Sequence, residues 1–252
     1  KAVFAEVKQR FEEELDYTLE AERQMSFRRL HSGDPHIDIP EVIPACSAQR
    51  VLTTLLARGA SLEEAAAAPR AERRQHAETL WRFVFKGNLV GGMFNADPHP
   101  GNYLFQPAGR IVFLDFGCVQ PIAGEHLQQS RRAHKAALRG DQAAFTAAMT
   151  QLLGTSGGAY ERAMLAYLRR CFEPLFSSPY CINAGYVKSL VDATMDMKRL
   201  VLTKDSGFVS PQEGLLFMNR LQFGFYSVLS RLDVEADYAA VENRFLGEAG
   251  LA

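Results

Sequence analysis

Two polar segments, separated by a pair of apolar runs, constrain this chain more than any other feature of its sequence. The first, residues 95–102, reads Asn-Ala-Asp-Pro-His-Pro-Gly-Asn, and the second is the Asp115-Phe-Gly117 that ends the later apolar run. Two prolines and a glycine exclude a helix from the first segment, because a helix interior needs the N–H that proline lacks. We therefore predict a loop from Phe94 to Asn102.

The residues between the two polar segments predict a β-hairpin. Residues 102–106 and 111–114 are short and mostly apolar, and the Pro-Ala-Gly between them supplies a turn. A hairpin brings its two ends together, so we expect Asn102 and Asp115 to lie side by side. Asp97, on the preceding loop, is expected to face both, so that three oxygen-bearing side chains converge on one point.

An Asp, an Asn five residues later and a following Asp-Phe-Gly form the layout of kinase-type phosphoryl transfer. In that layout Asp97 orients or deprotonates the acceptor, and Asn102 and Asp115 hold Mg²⁺ against the nucleotide phosphates. Hard oxygen ligands suit Mg²⁺, which takes octahedral oxygen coordination and keeps some of its waters. The alternative is a surface loop with one Asp in a Pro-rich turn and another at a strand end; the order and spacing favour the phosphoryl-transfer site.

Composition excludes several other classes of protein. The 252 residues suffice for one large domain or two small ones, and the formal net charge of −1 gives no reason to expect a nucleic-acid partner. The sequence contains no run of about eighteen apolar residues, so no membrane span is predicted. No signal peptide is visible. The chain opens within a helical pattern and without Met, which is typical of a fragment. His31 and His36, beside two aspartates, predict a polar loop rather than a metal site.

Hydrophobic periodicity predicts the elements of the first half of the chain. Residues 1–31 are predicted to form one long helix with an apolar stripe that includes Leu15. Residues 37–44 and 49–57 are predicted to be two strands that pack against that helix. Residues 71–89 are predicted to form a second long helix, which delivers the chain into the polar loop.

The second half is predicted to be helical, and helix resumes soon after Gly117. A protein kinase has a long segment at this point, ending in Ala-Pro-Glu, which docks a peptide. Neither feature is present, so a peptide substrate held in that way is disfavoured. Residues 215–232 are apolar on most faces, which favours a buried helix, with a lipid-facing surface as the alternative. The predicted helices cover about 125–139, 141–153, 159–176, 184–202 and 211–231.

The two polar segments resemble those of the UbiB/AarF family of atypical protein-kinase-like proteins, which are linked to ubiquinone and other isoprenoid-lipid metabolism. The resemblance lies in residues 96–102, Ala-Asp-Pro-His-Pro-Gly-Asn, and in the Leu-Asp-Phe-Gly at 114–117. Residues 14–17, Glu-Leu-Asp-Tyr, followed by Glu20-Ala21, are similar to that family's Glu-x-Asp motif and αC-like glutamate. The likeness covers roughly residues 1–125, and the helical remainder only in general character.

The resemblance implies roles for the residues of the loop and the Asp-Phe-Gly. Asp97 matches the catalytic aspartate, and Asn102 and Asp115 match the metal ligands. Phe116 and Gly117 complete the cofactor-binding motif.

The resemblance also implies roles on the first helix, together with departures from the family pattern. Glu20 matches the glutamate that pairs with the nucleotide-binding lysine. Glu14 and Asp16 match the pair that contacts a covering N-terminal helix and restrains peptide phosphorylation, so they are expected to be regulatory. The lysine-bearing strand that precedes this helix in the family is not in this chain. Asn95 stands where the family usually has His, and Leu55 where the hinge strand usually has an acidic residue.

These patterns predict an α+β, protein-kinase-like fold, with a partial N-lobe over 1–60 (αC-like helix and hinge strand) and a mainly helical C-lobe over 61–252. The expected function is that of an atypical kinase or ATPase with ATP and Mg²⁺ as cofactors. An isoprenoid lipid or quinone precursor is the expected further partner. The expected location is cytoplasmic, with peripheral contact at the inner membrane. The alternatives are a nucleotide-responsive pseudokinase, a lipid-binding scaffold, and a small-molecule kinase of the aminoglycoside or choline type, which the Pro-His-Pro-Gly insert disfavours.

Overall fold

The structure, a computed structural model, describes residues 15–122, 124–155, 157–201 and 215–251. It is mixed α and β, as predicted, with small sheets in the first half and helices in the second. The helices are α1 Tyr17–Leu30, α2 Leu62–Ala66, α3 Arg70–Leu89, α4 Gly124–Leu138, α5 Gln142–Leu153, α6 Ala159–Cys171, α7 Glu173–Phe176, α8 Ala184–Val201, α9 Leu215–Leu232 and α10 Tyr238–Glu248. The strands are β1 Ile37–Asp38, β2 Met93–Asn95, β3 Tyr103–Gln106, β4 Arg110–Phe113, β5 Val119–Pro121, β6 Tyr180–Cys181 and β7 Glu235–Ala236.

Helix α1 begins at Tyr17, so the prediction of one helix through residues 15 and 16 was wrong. Asp16 has extended backbone angles, and its side chain accepts a hydrogen bond of 3.0 Å from the Thr18 N–H. A capping side chain of this kind satisfies an N–H that has no partner inside the helix, and thereby starts a helix. Leu15 is 75% exposed and is not part of a buried stripe. The earlier residues of the predicted helix lie outside the described part of the chain.

The two strands predicted to pack against the first helix are mostly absent as regular strands. Only Ile37–Asp38 forms a strand, and it pairs in parallel with β4. Residues 49–57 form isolated bridges instead, Val42 with Thr54 and Ala48 with Val51. Leu56 is 81% exposed. Strand preference reflects packing on a half-buried surface, which this segment does not have in the described structure.

The predicted hairpin is confirmed. Strands β3 and β4 are antiparallel with Tyr103 opposite Phe113, and β1 adds a third strand on the far side of β4. The turn contains Ala108 and Gly109 with φ of 59° and 73°. A second pair, β2 with β5, was not predicted. It places Phe94 and Asn95 in a strand, so the predicted loop begins later than expected.

Helix α3 confirms the prediction for residues 71–89 and links the sheet to the helices. Phe83 stacks on Phe113 of β4, with ring centroids 3.6 Å apart. On the helical side Trp81 is buried and donates a 2.9 Å hydrogen bond from Nε1 to Glu242, which also accepts from His134 Nδ1 at 2.8 Å. Because Glu242 is fully buried, these two donors satisfy its carboxylate and fix α10 against α3 and α4.

The predicted helices of the second half are present over their described residues. The segment predicted as 159–176 is divided into α6 and α7, and α10 was not predicted. Phe225, Leu229 and Leu232 of α9 are buried, as expected for a core helix. Within the described ranges, none of the helices is both long and apolar enough to cross a membrane.

His31 is buried, which contradicts its prediction as part of a polar loop. It directly follows α1 and is 3% exposed, and its ring stacks on Phe83 at a centroid distance of 5.0 Å. Neither ring nitrogen has a hydrogen-bond partner. Burial lowers the pKa of His31 to about 3, and the charges of Lys86 and Arg82 add to this effect. The ring therefore behaves as an aromatic core side chain at neutral pH.

This depressed pKa predicts a pH dependence of stability. The unfolded chain binds a proton at His31 near its ordinary pKa of about 6.5, whereas the folded chain does so only near pH 3. The free energy of unfolding therefore falls as pH drops below 6.5, by about 2 kcal/mol between pH 7 and pH 5 from this group alone. His31→Phe keeps the stacking ring and is expected to remove that part of the loss. Urea denaturation at both pH values measures it, with His36→Gln as control. Equal pH slopes for wild type and His31→Phe would contradict the assignment.

Candidate active site

The three sequence-predicted residues lie next to strands of the two sheets in the first half of the chain. Asp97 follows β2, Asn102 ends a 3-10 turn of Pro100–Asn102 before β3, and Asp115 lies two residues after β4. The Leu114 N–H donates a 2.9 Å hydrogen bond to the Asn102 carbonyl. The hairpin therefore places Asn102 beside Leu114, the residue before Asp115, whereas the prediction had placed it beside Asp115 itself.

The Asn102 side chain is oriented by Asp97. Its Nδ2 donates to the Asp97 backbone carbonyl and to Asp97 Oδ2, both at 3.2 Å. Because only the amide nitrogen can donate, these bonds fix which end of the amide faces Asp97. The Asn102 Oδ1 is thus the end directed away from these two bonds, and it is the atom that could serve as a metal ligand.

Asp115 has an uncommon backbone conformation. Its φ is 61°, in the left-handed region that Asp tolerates better than most side chains. Its Oδ1 accepts a 3.1 Å hydrogen bond from the Gly117 N–H. Such a conformation persists only where neighbouring groups hold it, and strained residues of this kind concentrate at functional sites.

Asn95 bridges the two segments through both atoms of its amide. Its Nδ2 donates to the Asp115 carbonyl at 2.7 Å, and its Oδ1 accepts from the Asp97 N–H at 3.1 Å. In the sequence, Asn95 stood out only as a departure from a usual His. In the structure this residue ties the loop of Asp97 to the loop of Asp115.

Helix α1 contacts the same loop through Glu20 and Arg23. Glu20 Oε1 accepts from the Phe116 N–H at 3.2 Å, and Arg23 Nη1 donates to the Gly117 carbonyl at 2.7 Å. Burial raises the pKa of Glu20, the nearby Asp115 charge adds to the rise, and the Phe116 N–H and Arg23 oppose it. Arg23 was missed by sequence reasoning. The only signal was its position three residues after Glu20, on the same helix face.

The Phe116 ring packs into the core and holds the loop of Asp115 against α1 and α3. It is fully buried, 5.2 Å from Phe27 of α1 and 6.4 Å from Phe83 of α3, measured between ring centroids. The loop is thus held to α1 by one aromatic contact and two hydrogen bonds.

The two residues expected to be regulatory are only partly described. Asp16 caps α1, and the Thr18 N–H is the main cause of its lowered pKa. Glu14 lies outside the described residues. The contact with a covering helix that the resemblance implies stays a prediction for both.

The proline-rich part of the loop rests on the helical body. A Cβ built on Gly224 of α9 would clash with the Pro98 ring, so the helix backbone lies directly against the loop. The absence of a side chain at Gly224 permits this close approach.

The donor set fits Mg²⁺ better than a metal that needs many protein ligands. In the part of the chain that the structure describes, no group of three His, Cys, Asp or Glu side chains could hold a metal ion. A site made from the Asp115 carboxylate and the Asn102 amide oxygen offers two hard ligands. That number suits Mg²⁺, which is usually held by one or two protein groups together with waters and substrate phosphates.

Comparisons with known proteins agree on one family of kinase-like proteins. The sequence matches the ABC1 atypical kinase-like domain over residues 1–149. An uncharacterized protein of Mycobacterium tuberculosis is 36% identical over 125 residues, which are 48% of this chain and 26% of that protein. The protein ACTIVITY OF BC1 COMPLEX KINASE 3, chloroplastic, of Arabidopsis thaliana is 32% identical over 115 residues, 45% of this chain and 16% of that protein.

Two further matches extend over nearly the whole chain. The atypical kinase coq-8, mitochondrial, of Caenorhabditis elegans is 23% identical over 252 residues, 95% of this chain and 33% of that protein. The solved complex of Rv3197 with erythromycin from Mycobacterium tuberculosis superposes with a TM-score of 0.74 at 22% identity, covering 96% of this chain and 61% of that one. This likeness confirms the kinase-like fold. The chain spans no more than a third of the length of these three curated relatives.

The double role of Asn95 predicts that an isosteric change is not tolerated. Asn95→Asp loses the donor to the Asp115 carbonyl and adds a negative charge beside two aspartates, so we expect a loss of about 1–2 kcal/mol in the free energy of unfolding. Asn183→Asp is the matched control, because the Asn183 side chain caps α8 by accepting from the Tyr186 N–H at 2.9 Å. Asp accepts equally well there. Equal losses for the two variants in urea denaturation would contradict the bridging role.

The contact between Gly224 and Pro98 predicts a second difference between matched variants. Gly224→Ala forces a methyl group against the Pro98 ring and is expected to cost about 1–3 kcal/mol of stability, as overpacking does. Gly247→Ala, in α10 with no atom within 4 Å of the added methyl, is expected to be neutral or to stabilise by up to about 1 kcal/mol. Thermal unfolding of both variants measures this, and a tolerated Gly224→Ala would show that the loop can move off α9 without cost.

Proposed function

Because this chain belongs to the ABC1 atypical kinase-like family, we propose that it binds ATP with Mg²⁺ at Asp97, Asn102 and Asp115 and supports phosphoryl transfer or ATP hydrolysis. The observation that carries the proposal is the set of hydrogen bonds that links the segments of these three residues. Asn95 joins the Asp97 N–H to the Asp115 carbonyl, and the Asn102 side chain donates to the Asp97 carboxylate.

Each residue has a chemical part in the proposal. Asp97 is proposed to accept the proton of the attacking hydroxyl or water, the role that a general base plays in this reaction class. Asn102 and Asp115 supply the oxygens that hold the metal. Bound Mg²⁺ would neutralise the charge that develops on the transferred phosphoryl group.

The acceptor is proposed to be a small molecule rather than a peptide. Only β5 and a short connection separate Gly117 from α4, which leaves little chain to dock a peptide. Isoprenoid lipids and quinone precursors are our candidates, on the family resemblance.

A nucleotide-responsive scaffold without phosphoryl transfer is the second candidate. The observation that favours it is that Glu20, which the resemblance pairs with a nucleotide-binding lysine, accepts from the Phe116 N–H and so ties α1 to the metal loop. The cytoplasmic location with peripheral membrane contact also stays a proposal, and the relatives named above carry chloroplastic and mitochondrial designations.

Substitution of Asp115 tests the metal site. Asp115→Asn keeps an oxygen that can accept from the Gly117 N–H, and Asn tolerates a positive φ, so the fold is expected to survive. We expect wild type to be stabilised by Mg²⁺-ATP, by about 2.7 kcal/mol at a hundredfold excess over Kd, and the variant to lose most of this. Thermal shift with and without Mg²⁺ measures it. Asp192→Asn, at an exposed pair with Lys188, is the control. If Mg²⁺-ATP stabilises the variant as much as wild type, the assignment of Asp115 as a metal ligand is wrong.

Substitution of Asp97 separates the two candidate functions. In an enzyme, Asp97→Asn is expected to retain Mg²⁺-ATP binding while turnover falls about 10²- to 10⁴-fold, the usual contribution of a general base. In a scaffold, wild type binds nucleotide but shows no turnover above that of the variant. Phosphate release by both proteins decides between them.

A further inference from the structure

We propose that Arg23 is a positioning residue for the metal-binding loop, holding Gly117 and through it the Asp115 carboxylate; this inference rests on the proposed function of that site. Arg23 Nη1 donates a 2.7 Å hydrogen bond to the Gly117 carbonyl, across 94 residues of sequence. A bond from a guanidinium is charge-assisted and stronger than one between neutral groups. It therefore connects α1 directly to the backbone of the loop.

Gly117 is held at both of its backbone polar atoms. Its carbonyl accepts from Arg23, and its N–H donates to Asp115 Oδ1 at 3.1 Å. The Asp115 carboxylate, which is the metal ligand in the proposal, thus accepts from the peptide group that links Phe116 to Gly117, and Arg23 holds the next peptide group along the chain. Movement of Gly117 would change the direction of that carboxylate.

The loop needs external support because Asp115 has a strained conformation. A φ of 61° is uncommon for a residue with a side chain and persists where surrounding contacts determine it. Asn95 holds the Asp115 carbonyl from one side, and Glu20 holds the Phe116 N–H. Arg23 of α1 adds a third contact, its hydrogen bond to the Gly117 carbonyl at the end of the Asp-Phe-Gly.

The same helix offers a matched control. Arg28 Nη1 donates a 2.8 Å hydrogen bond to the Ile39 carbonyl, which is the same type of bond at nearly the same length, directed at a segment outside the metal loop. Arg28→Met and Arg23→Met both remove an arginine-to-carbonyl bond from α1. Only Arg23→Met removes a bond to the Asp-Phe-Gly.

The first experiment measures affinity for Mn²⁺, as a spectroscopic substitute for Mg²⁺, by electron paramagnetic resonance on the whole chain with ATP present. Arg23→Met is expected to weaken Mn²⁺ binding roughly tenfold, in line with the loss of one charge-assisted hydrogen bond, and Arg23→Lys to recover part of it. Arg28→Met is expected to leave the affinity within about twofold of wild type, whatever its melting temperature. Equal affinities for Arg23→Met and Arg28→Met would overturn the proposal.

The second experiment needs neither metal nor nucleotide. Hydrogen exchange of the Phe116 and Gly117 amides is expected to be about tenfold faster in Arg23→Met than in wild type and unchanged in Arg28→Met. Unchanged exchange at both amides in Arg23→Met would overturn the proposal even in a chain that binds metal. If wild type binds no metal while exchange responds as expected, the proposed function fails and the positioning contact stands.

Discussion

The attachment of the Asp-Phe-Gly to helix α1 is the constraint on which the candidate site depends. Phe116 is fully buried against rings from α1 and α3, and the backbone on either side of its ring is bonded to Glu20 and Arg23. Burial of a phenylalanine contributes about 2 kcal/mol and has no preferred direction, whereas the two hydrogen bonds fix orientation. Together they determine where the Asp115 carboxylate points.

The same attachment would make the site sensitive to the position of α1. A hydrogen bond weakens steeply once its geometry is lost, so a small shift of the helix would release Phe116 and Gly117 together. The strained φ of Asp115 would then lose part of the support that maintains it. Asn95 limits this effect from the other side, since its amide joins the Asp115 carbonyl to the Asp97 N–H.

The helical body supports the site from behind rather than supplying its chemistry. The backbone of α9 at Gly224 lies against Pro98, which fixes the loop that carries Asp97. Trp81 of α3 in turn donates a hydrogen bond to the buried Glu242 of α10. This bond fixes α3, the helix that precedes the loop, to the protein core. A buried carboxylate with satisfied partners is costly to disturb, and this makes the body a rigid base for the loop.

Sequence by itself determined the parts of this protein that depend on neighbours along the chain. The hairpin, helix α3 and the placement of Asp97, Asn102 and Asp115 around that hairpin follow from turn residues, periodicity and spacing, which act locally. The tertiary structure decided the lack of a regular strand over residues 49–57, the burial of His31 and the contact of Arg23 with Gly117. Each of these depends on which surface another part of the chain covers, or on one bond across 94 residues, and neither is encoded in a local pattern.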